Sequence, residues 1–509
     1  MSGSDEYGVA ILIKSIKENN KPINIINKYH NNIKKDLKKL KISLNNYFRT
    51  SNKLHHKFSQ NVFIKLYNKK FFKIKYTYQY YDKYLKQFLS DRFIIGICPK
   101  CNYKFSYSDI CDNCGNILNV GDLKKPISIL TKKKPILKKT LNFFIQFKKY
   151  KKFLIKLYKK YKKLKFKKKY LNFLKKNVFN KLKNRSITRD LKWGVKVPIK
   201  QYKYKVLYVW FEAILGYITS TINWSNKNNI NWKNFWINKN IKLINFIGKD
   251  NIIFHTIFYP LIIKKYNNKF ILPYYININE FLKFENNKIS TSKNIGVFLN
   301  KFLLKYPDLI DSLRYSLIIN MPINKDSNFT WENFRLYNNT ILIGILGNFF
   351  NRVINLIFKY YNGYIPYKNK LNKNDNKILK KIYNYPKKIN KLIKKYKFKR
   401  SLLKFIELAR FGNKYISIKQ PWKLKNKKKI YNIMYITSNI LIFLSQISYI
   451  FLPYTNKKML KILNFKNINF SNLIKKKKNI KKKHKINKSI LLFKYISKKK
   501  LNIIKKNII

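Results

Sequence analysis

Two CxxC pairs, Cys98-Pro-Lys-Cys101 and Cys111-Asp-Asn-Cys114, contain all four cysteines of the chain and lie nine residues apart. Four thiolates at this spacing form the ligand set of a tetrahedral Zn²⁺ site. The ion has no geometric preference of its own, and each tight turn supplies two sulfurs. With every corner taken by protein, no position is left for water, so one structural zinc would staple a loop and do no chemistry. Two disulfides or four unrelated thiols are the competing readings; nothing in the chain points to an oxidising compartment.

The 509 residues carry 113 basic and 20 acidic side chains, a formal charge of +93. Such a field favours the approach of RNA or DNA and predicts steeply salt-dependent binding. All but nine of the basic residues are lysine, and asparagine, isoleucine, tyrosine and phenylalanine are inflated alongside. These five share A/T-rich codons, so part of the excess reads as mutational drift rather than as a binding surface. Residues with G/C-rich codons stand out against that background. They cluster in SGSDEYG near the start, DRF before the cysteines, TRDLKWG at 188–194, VWFEA at 209–213, IGKD at 247–250 and LRY at 313–315.

Several elements must position these clusters, because the length exceeds what one core covers and a 46% hydrophobic content is ample for burial. Residues 1–70 read as α/β: Val9, Leu12, Ile13 and Ile16 share a helical face directly after the Ser4-Asp5 turn, the start of a βα crossover. Between 70 and 188 an insertion holds the cysteines and a lysine-rich run, Lys132–Lys183, which reads as a solvated, locally helical surface. Apolar runs at 205–211 and 242–248 read as strands buried on both faces. The second ends in Gly248-Lys249-Asp250, and nucleotides bind at the carboxyl ends of such strands. From 335 onward Leu342, Ile345, Leu346, Phe349, Val353, Leu356 and Ile357 follow a helical period, a bundle; after 470 lysine runs give a basic, partly mobile tail. No signal peptide is visible, and the apolar stretch Ile440–Tyr454 is short for a membrane span, so a soluble cytoplasmic protein is expected.

In this order and spacing the clusters resemble the methionyl-tRNA synthetases of class I. The resemblance rests on SGSDEYGVAI, DRF with the CxxC pairs, ITRDLKWG, KVLYVWFEAILGY, FIGKDNIIFH, and Lys288-Ile289-Ser290-Thr291-Ser292, similar to the KMSKS loop. Alone, the last would be an ordinary surface loop. The resemblance implies a Rossmann-type parallel nucleotide-binding sheet split into 1–70 and 189–275. It also implies a zinc-knuckle insertion (71–188), a KMSKS-loop and stem-contact region (276–335), a helical anticodon-binding bundle (336–470) and the basic tail (471–509). The activity it implies is ATP-dependent ligation, with Mg²⁺, of methionine to tRNA(Met), the initiator included, through methionyl-adenylate. Neither DNA nor a membrane is an implied partner.

By the same resemblance Lys288 supplies charge at the phosphates, Ser290 and Ser292 hold that loop, Thr291 stands at the second lysine of KMSKS, and Arg189 meets the reacting carboxylate and phosphate. Asp5 receives the substrate α-ammonium. Trp210, Ala213, Tyr217, Phe254 and His255 form the methionine pocket, where aromatic walls suit a polarizable thioether and His255 donates towards the sulfur. Gly248 and Asp250 serve adenosine, and Asn351, Asn355, Lys359 and Trp422 the anticodon. Plain structural alternatives are an Asp5 helix cap, an Arg189 salt bridge, a core histidine at 255, and a polar helix face with a packed Trp422.

The chain departs from the pattern in lacking the HIGH signature, in Ile214 where proline is usual, and in Glu212 for aspartate. A start upstream that supplies HIGH is the expectation, as is a monomer, since no C-terminal oligonucleotide-binding module follows. Two alternatives are an inactive remnant that still binds tRNA and a generic basic RNA-binding protein.

Overall fold

The computed structural model describes residues 1–90, 93–108, 111, 113–114, 118, 120–164, 166–179, 184–290, 295–367, 369–466 and 483–508. They divide into two units, Met1–Lys35 with Ser43–Ile278 and Asp36–Ile42 with Asn279–Ile509.

The first unit is mixed α/β. Strand β1 (Ser2–Ser4) pairs in parallel with β2 (Tyr47–Arg49), Gly3 opposite Phe48. A Cβ on Gly3 would lie 2.4 Å from the Phe48 carbonyl oxygen, so the two backbones meet only because the residue is glycine. Helices α1 (Val9–Lys17) and α2 (Pro22–Lys39) connect the strands, as a βα crossover requires. Val9, Leu12 and Ile13 pack on a small cluster around Tyr80, Phe93 and Ile94. Ile16, expected on the same face, is 56% exposed because α1 ends one residue later, beyond that cluster. Helix α3 (Lys53–Asn68), capped by the Asn52 side chain on Leu54 N–H, buries His55, Ser59, Val62, Phe63 and Leu66 at helical spacing.

Strand β3 (Phe72–Asp82) pairs antiparallel with Ile136–Ile145, in register from Phe72–Ile145 to Tyr81–Ile136, and forms a long ribbon edged by Gln87–Phe88 and Arg185–Ser186. A separate three-stranded sheet frames the cysteines: its central strand Ile94–Ile97 precedes the first pair, and Ser106–Tyr107 and Lys124–Ser128 flank it. The lysine-rich run is more ordered than its composition indicates. It supplies that second ribbon strand and the helices Lys151–Lys163 and Lys168–Phe179, with Leu154, Leu157, Tyr161, Tyr170 and Leu174 in the unit's core. Apolar residues at helical spacing turn inward and leave the lysines in water.

The run at 205–211 is not the expected strand. Only Val206–Leu207 is extended, antiparallel to Thr188–Arg189, and Val209–Glu212 is already helical, leading into Gly216–Lys227. Burial of Phe211, Glu212, Leu215, Ile218 and Thr219 follows the 3.6-residue period that a short apolar run conceals. The run at 242–248 does form a strand, Ile244–Gly248, followed by helical turns into Tyr259–Tyr266.

The second unit is mainly helical. Its small sheet orders Asn287–Lys288, Leu282–Phe284 and Ser327–Phe329. Leu342, Leu346, Phe349, Val353 and Ile357 lie in a core shared with helices Lys373–Lys394, Phe398–Lys419 and Lys427–Phe451. A Cβ on Gly412 would lie 2.4 Å from the Phe349 ring, so glycine sets how closely those two helices approach. By length and composition alone, Trp331–Tyr361 and Lys427–Phe451 could cross a bilayer; the latter is almost wholly buried as a core helix of the bundle. The segment expected as a mobile tail is in part structured: helix Lys498–Ile508 buries Leu501, Ile504 and Ile508 against Phe302, Trp331 and Phe334. The runs Lys475–Lys478 and Lys481–Lys482 lie outside the described residues.

Candidate active site and metal cluster

The four cysteine sulfurs lie within 4.8 Å of one another. Sγ of Cys98 is 3.8 Å from Cys114 and Sγ of Cys101 is 3.6 Å from Cys111. Disulfides need about 2.05 Å, whereas four sulfurs about 2.3 Å from a central ion stand roughly 3.8 Å apart along a tetrahedron's edge. Local backbone builds the cup: Cys98 C=O accepts from Asn102 N–H, and Cys98 N–H donates to Tyr103 C=O. Burial pushes the Cys111 thiol up, but the N–H groups of Cys114 and Asn113 and the Ser106 hydroxyl outweigh it and bring it down to about 6. The cluster could hold a metal ion.

A cavity of about 210 Å³ opens in the first unit between β1, the end of β2 and the helical segments after Tyr208 and Gly248. Asp5, Trp210, Ala213, Tyr217 and His255 all line it, and Phe254 stacks on Trp210 with ring centroids 4.1 Å apart at 5°. Asp5 is not a helix cap, since α1 is entered through Gly8 with no side-chain cap. Solvent reaches Asp5, yet it sits deep among protein atoms, and that burial raises it to about 8. A cation beside it would return it to the ionised form.

The pocket's hydrogen-bond polarity is fixed by chemistry. His255 is held neutral by burial. Its Nδ1 faces the Asn251 carbonyl at 3.1 Å, which can only accept, so Nδ1 carries the proton. Nε2 then accepts from the Tyr217 hydroxyl at 2.8 Å. Both ring nitrogens are thus engaged within the protein, which leaves His255 no proton for a ligand sulfur. The Tyr217 phenol is pushed up to about 12 by burial and by Asp5.

Behind the pocket, fully buried Glu212 lies 2.7 Å from His55 Nε2, and His55 Nδ1 lies 2.9 Å from Thr219 Oγ1. Burial raises the Glu212 carboxyl well above its usual range and lowers His55 to about 3. Both shifts favour a neutral acid donating to a neutral imidazole. A second network fixes β1 to β2: buried Glu6 accepts from Ser4, Arg49 Nε and Ser51 and takes its backbone N–H to Thr50. Sequence reasoning missed Arg49, Thr50 and Asn251 as pocket-lining residues. Arg49 carried a usable signal, being one of nine arginines among more than a hundred basic side chains.

The remaining expected residues lie elsewhere. Arg189 packs its guanidinium 4.0 Å over the Tyr208 ring and donates to the Ser186 and Thr188 carbonyls; the ion pair beside it belongs to Asp190 and buried Lys205. Gly248 ends its strand where a Cβ would meet the Asp250 carboxylate at 2.6 Å. In the second unit Lys288 is exposed on a hairpin whose turn residues, Glu285 and Asn286, are both left-handed. Ser290 exchanges backbone hydrogen bonds with Ile295, while Thr291 and Ser292 lie outside the described residues. Asn355 and Lys359 are exposed on one helix, and Asn351 there accepts from Ser489. Trp422 is 43% exposed, not packed, with Arg352 5.5 Å over its ring.

The family described as tRNA synthetases class I (M) matches residues 1–354, and the anticodon binding domain of methionyl tRNA ligase matches residues 365–507. The methionine–tRNA ligase of Flavobacterium johnsoniae is 42% identical over 91% of this chain and 65% of its own length. That of Bacteroides fragilis is 36% identical over 97% and 72%. The chain therefore spans about two thirds of the length of these curated relatives. Among solved structures, Mycobacterium tuberculosis methionyl-tRNA synthetase in complex with methionyl-adenylate shares the fold, with a TM-score of 0.77 at 19% identity over 96% of this chain and 91% of that one. Sequence matches along nearly the whole length and the shared architecture agree, and the chain belongs to the methionyl-tRNA synthetases of class I.

Proposed function

We propose that the protein activates methionine with ATP and transfers it to tRNA(Met), the initiator included. The observation that carries this reading is the cavity that gathers Asp5, Trp210, Ala213, Tyr217 and His255, residues drawn from distant parts of the chain. A carboxylate for an ammonium and aromatic walls for a thioether meet the needs of a methionine ligand. In the first step a substrate carboxylate oxygen attacks the α-phosphorus of ATP. The new P–O bond forms as the bond to the β-bridging oxygen breaks, and pyrophosphate leaves with that electron pair. In the second step a terminal ribose hydroxyl of the tRNA attacks the acyl carbon and AMP departs. Such chemistry depends on positioning and fixed positive charge more than on covalent catalysis.

In this reading Gly248 and Asp250 belong to the adenosine side of a Rossmann-type nucleotide fold. Lys288 with Ser290, Thr291 and Ser292 serves the phosphates, Mg²⁺ accompanies ATP, and Arg189 serves the reacting groups. Asn351, Asn355, Lys359 and Trp422 face the anticodon, with Trp422 stacking on an unpaired base. The Cys98, Cys101, Cys111 and Cys114 set suits a structural Zn²⁺, which would supply folding stability and leave catalysis to other residues. A cytoplasmic monomer completes the reading. Methionine-dependent exchange of pyrophosphate into ATP by the native protein tests it. Exchange that Asp5→Asn lowers by at least tenfold is expected, and absence of exchange with every amino acid would overturn it.

A further inference from the structure

A second cavity of the first unit, about 620 Å³, shares no lining residue with the one that gathers Asp5 and Tyr217. Lys65, Lys69, Lys264 and Lys265 line it together with Tyr150 and Tyr266. It lies where two helices end: α3, closed by Lys69, and Tyr259–Tyr266, closed by Asn267. In so lysine-rich a chain a basic hollow alone means little. This one differs in how its ammonium groups are held.

Lys69 Nζ donates to the Lys265 and Tyr266 carbonyls at 2.8 and 3.3 Å, and Lys264 Nζ to the Asn268 carbonyl at 2.6 Å. Lys65 holds its ammonium 5.0 Å from the centre of the Tyr266 ring, and Lys265 holds its own 4.8 Å from that of Tyr150. The rings are themselves packed, Tyr150 on Phe71 and Tyr266 on Phe58 and Phe270. Four cations that would otherwise trail in water are thus set around one hollow, so less side-chain freedom is left to lose when a ligand arrives. What holds them does not neutralise them. A helix C-terminus carries about half a negative charge, so the two ends offset roughly one of the four positive charges and leave about three. Among the described residues no carboxylate pairs with any of the four lysines. The repulsion is unrelieved: burial and Lys239 hold Lys264 below the usual lysine range, and burial and Lys264 do the same to Lys160 on the helix Lys151–Lys163.

We propose that this hollow binds a short oligophosphate, inorganic or carried by a nucleotide. Its volume falls within the range of small-molecule sites, about 300–1,000 Å³. A residual charge near three matches two or three linked phosphates better than a lone phosphate or carboxylate. A nucleic-acid backbone is the competing occupant, but it would engage exposed lysines over the whole surface, whereas these four are gathered on one cavity. The inference goes beyond the ligase reading and does not depend on it.

The test is equilibrium dialysis of the full chain against labelled inorganic tripolyphosphate at about 150 mM salt, where a Debye length of about 8 Å damps the general field. Lys65→Gln with Lys265→Gln is expected to weaken the tightest binding by roughly tenfold or more, since two charge-assisted contacts are lost. Lys427→Gln with Lys428→Gln makes the same charge change at exposed positions of the second unit and should leave that binding intact. Equal loss in both pairs, or no loss in either, would overturn the proposal. So would a blunt RNA duplex that displaces the label better than ATP does at equal phosphate concentration. Displacement by ATP as good as by unlabelled tripolyphosphate supports recognition of the phosphate chain alone; better displacement supports a nucleotide, and poorer an inorganic ligand. Methionine-dependent pyrophosphate exchange should be unchanged by Lys65→Gln with Lys265→Gln, because neither lysine lines the first cavity. A chain without exchange would sink the ligase reading and leave the dialysis result standing.

Discussion

At the scale of single residues, the pocket stores two protonation states that ordinary carboxylates would not hold. Asp5, raised to about 8 by burial, is mostly protonated at neutral pH and must lose its proton to pair with an ammonium. Methionine affinity should therefore rise with pH up to about 8, by as much as tenfold per unit below it. Calorimetry in buffers of different ionisation heat would show the released proton, and Asp5→Asn should abolish both effects. Glu212 offers a second check. If it is a neutral donor to His55, Glu212→Gln keeps the bond and should cost no more than about 1 kcal/mol; an ion pair broken in this way would cost about 3–5 kcal/mol. The sign of the pH dependence follows from the shifts. The raised Glu212 contributes stability that is full below its unfolded value near ~4.5 and is lost as pH rises through the raised one. The lowered His55 contributes stability that is full above ~6.5 and is lost as pH falls towards about 3. Denaturant melts of Glu212→Gln should lose the first slope and keep the second.

At the scale of elements, legibility followed how many independent constraints each segment carried. The cysteine turns were readable because ligand spacing fixes a geometry, and the sulfurs do converge. The bundle was readable because Leu342 through Ile357 sustain one period over more than four turns. The 205–211 run was misread because six apolar residues after Lys205 are too few to separate a period of two from one of 3.6, and only the burial of Glu212 reveals the helix. The lysine-rich helices were undervalued because charge on the outer face masked Leu154, Leu157 and Tyr161 on the inner one. Arg49 and Asn251 could not be placed at the cavity from sequence, since they reach it through pairing and packing that join distant segments. The cysteine cup also makes a prediction at this scale. Its short strands, Ser106–Tyr107 and Lys124–Ser128, enclose little core, so metal removal by a strong chelator should unfold residues 94–128 locally. Hydrogen exchange should quicken there and stay slow in the helix Lys427–Phe451.

At the scale of the whole molecule, a formal charge of +93 on 509 residues is a standing self-repulsion. Screening relieves it, so the melting temperature should rise as salt goes from about 50 to about 300 mM, where the Debye length shortens to under 10 Å; a flat or falling curve would mean that local ion pairs dominate. The cores tolerate this charge because isoleucine, phenylalanine and tyrosine fill them, residues that the same codon bias supplies. One hydroxyl inside that highly charged molecule has a different kind of consequence. Tyr217 has committed its proton to His255, and what it turns to the cavity can only accept. Methionine sulfoxide would set a second acceptor oxygen against it with no proton between them. On the proposed methionine reading, the wiring of this tyrosine sets the pocket against a sulfoxide ligand. Sulfoxide should support no pyrophosphate exchange at concentrations where methionine saturates it, and equal exchange with both would sink this reading of the Tyr217 hydroxyl.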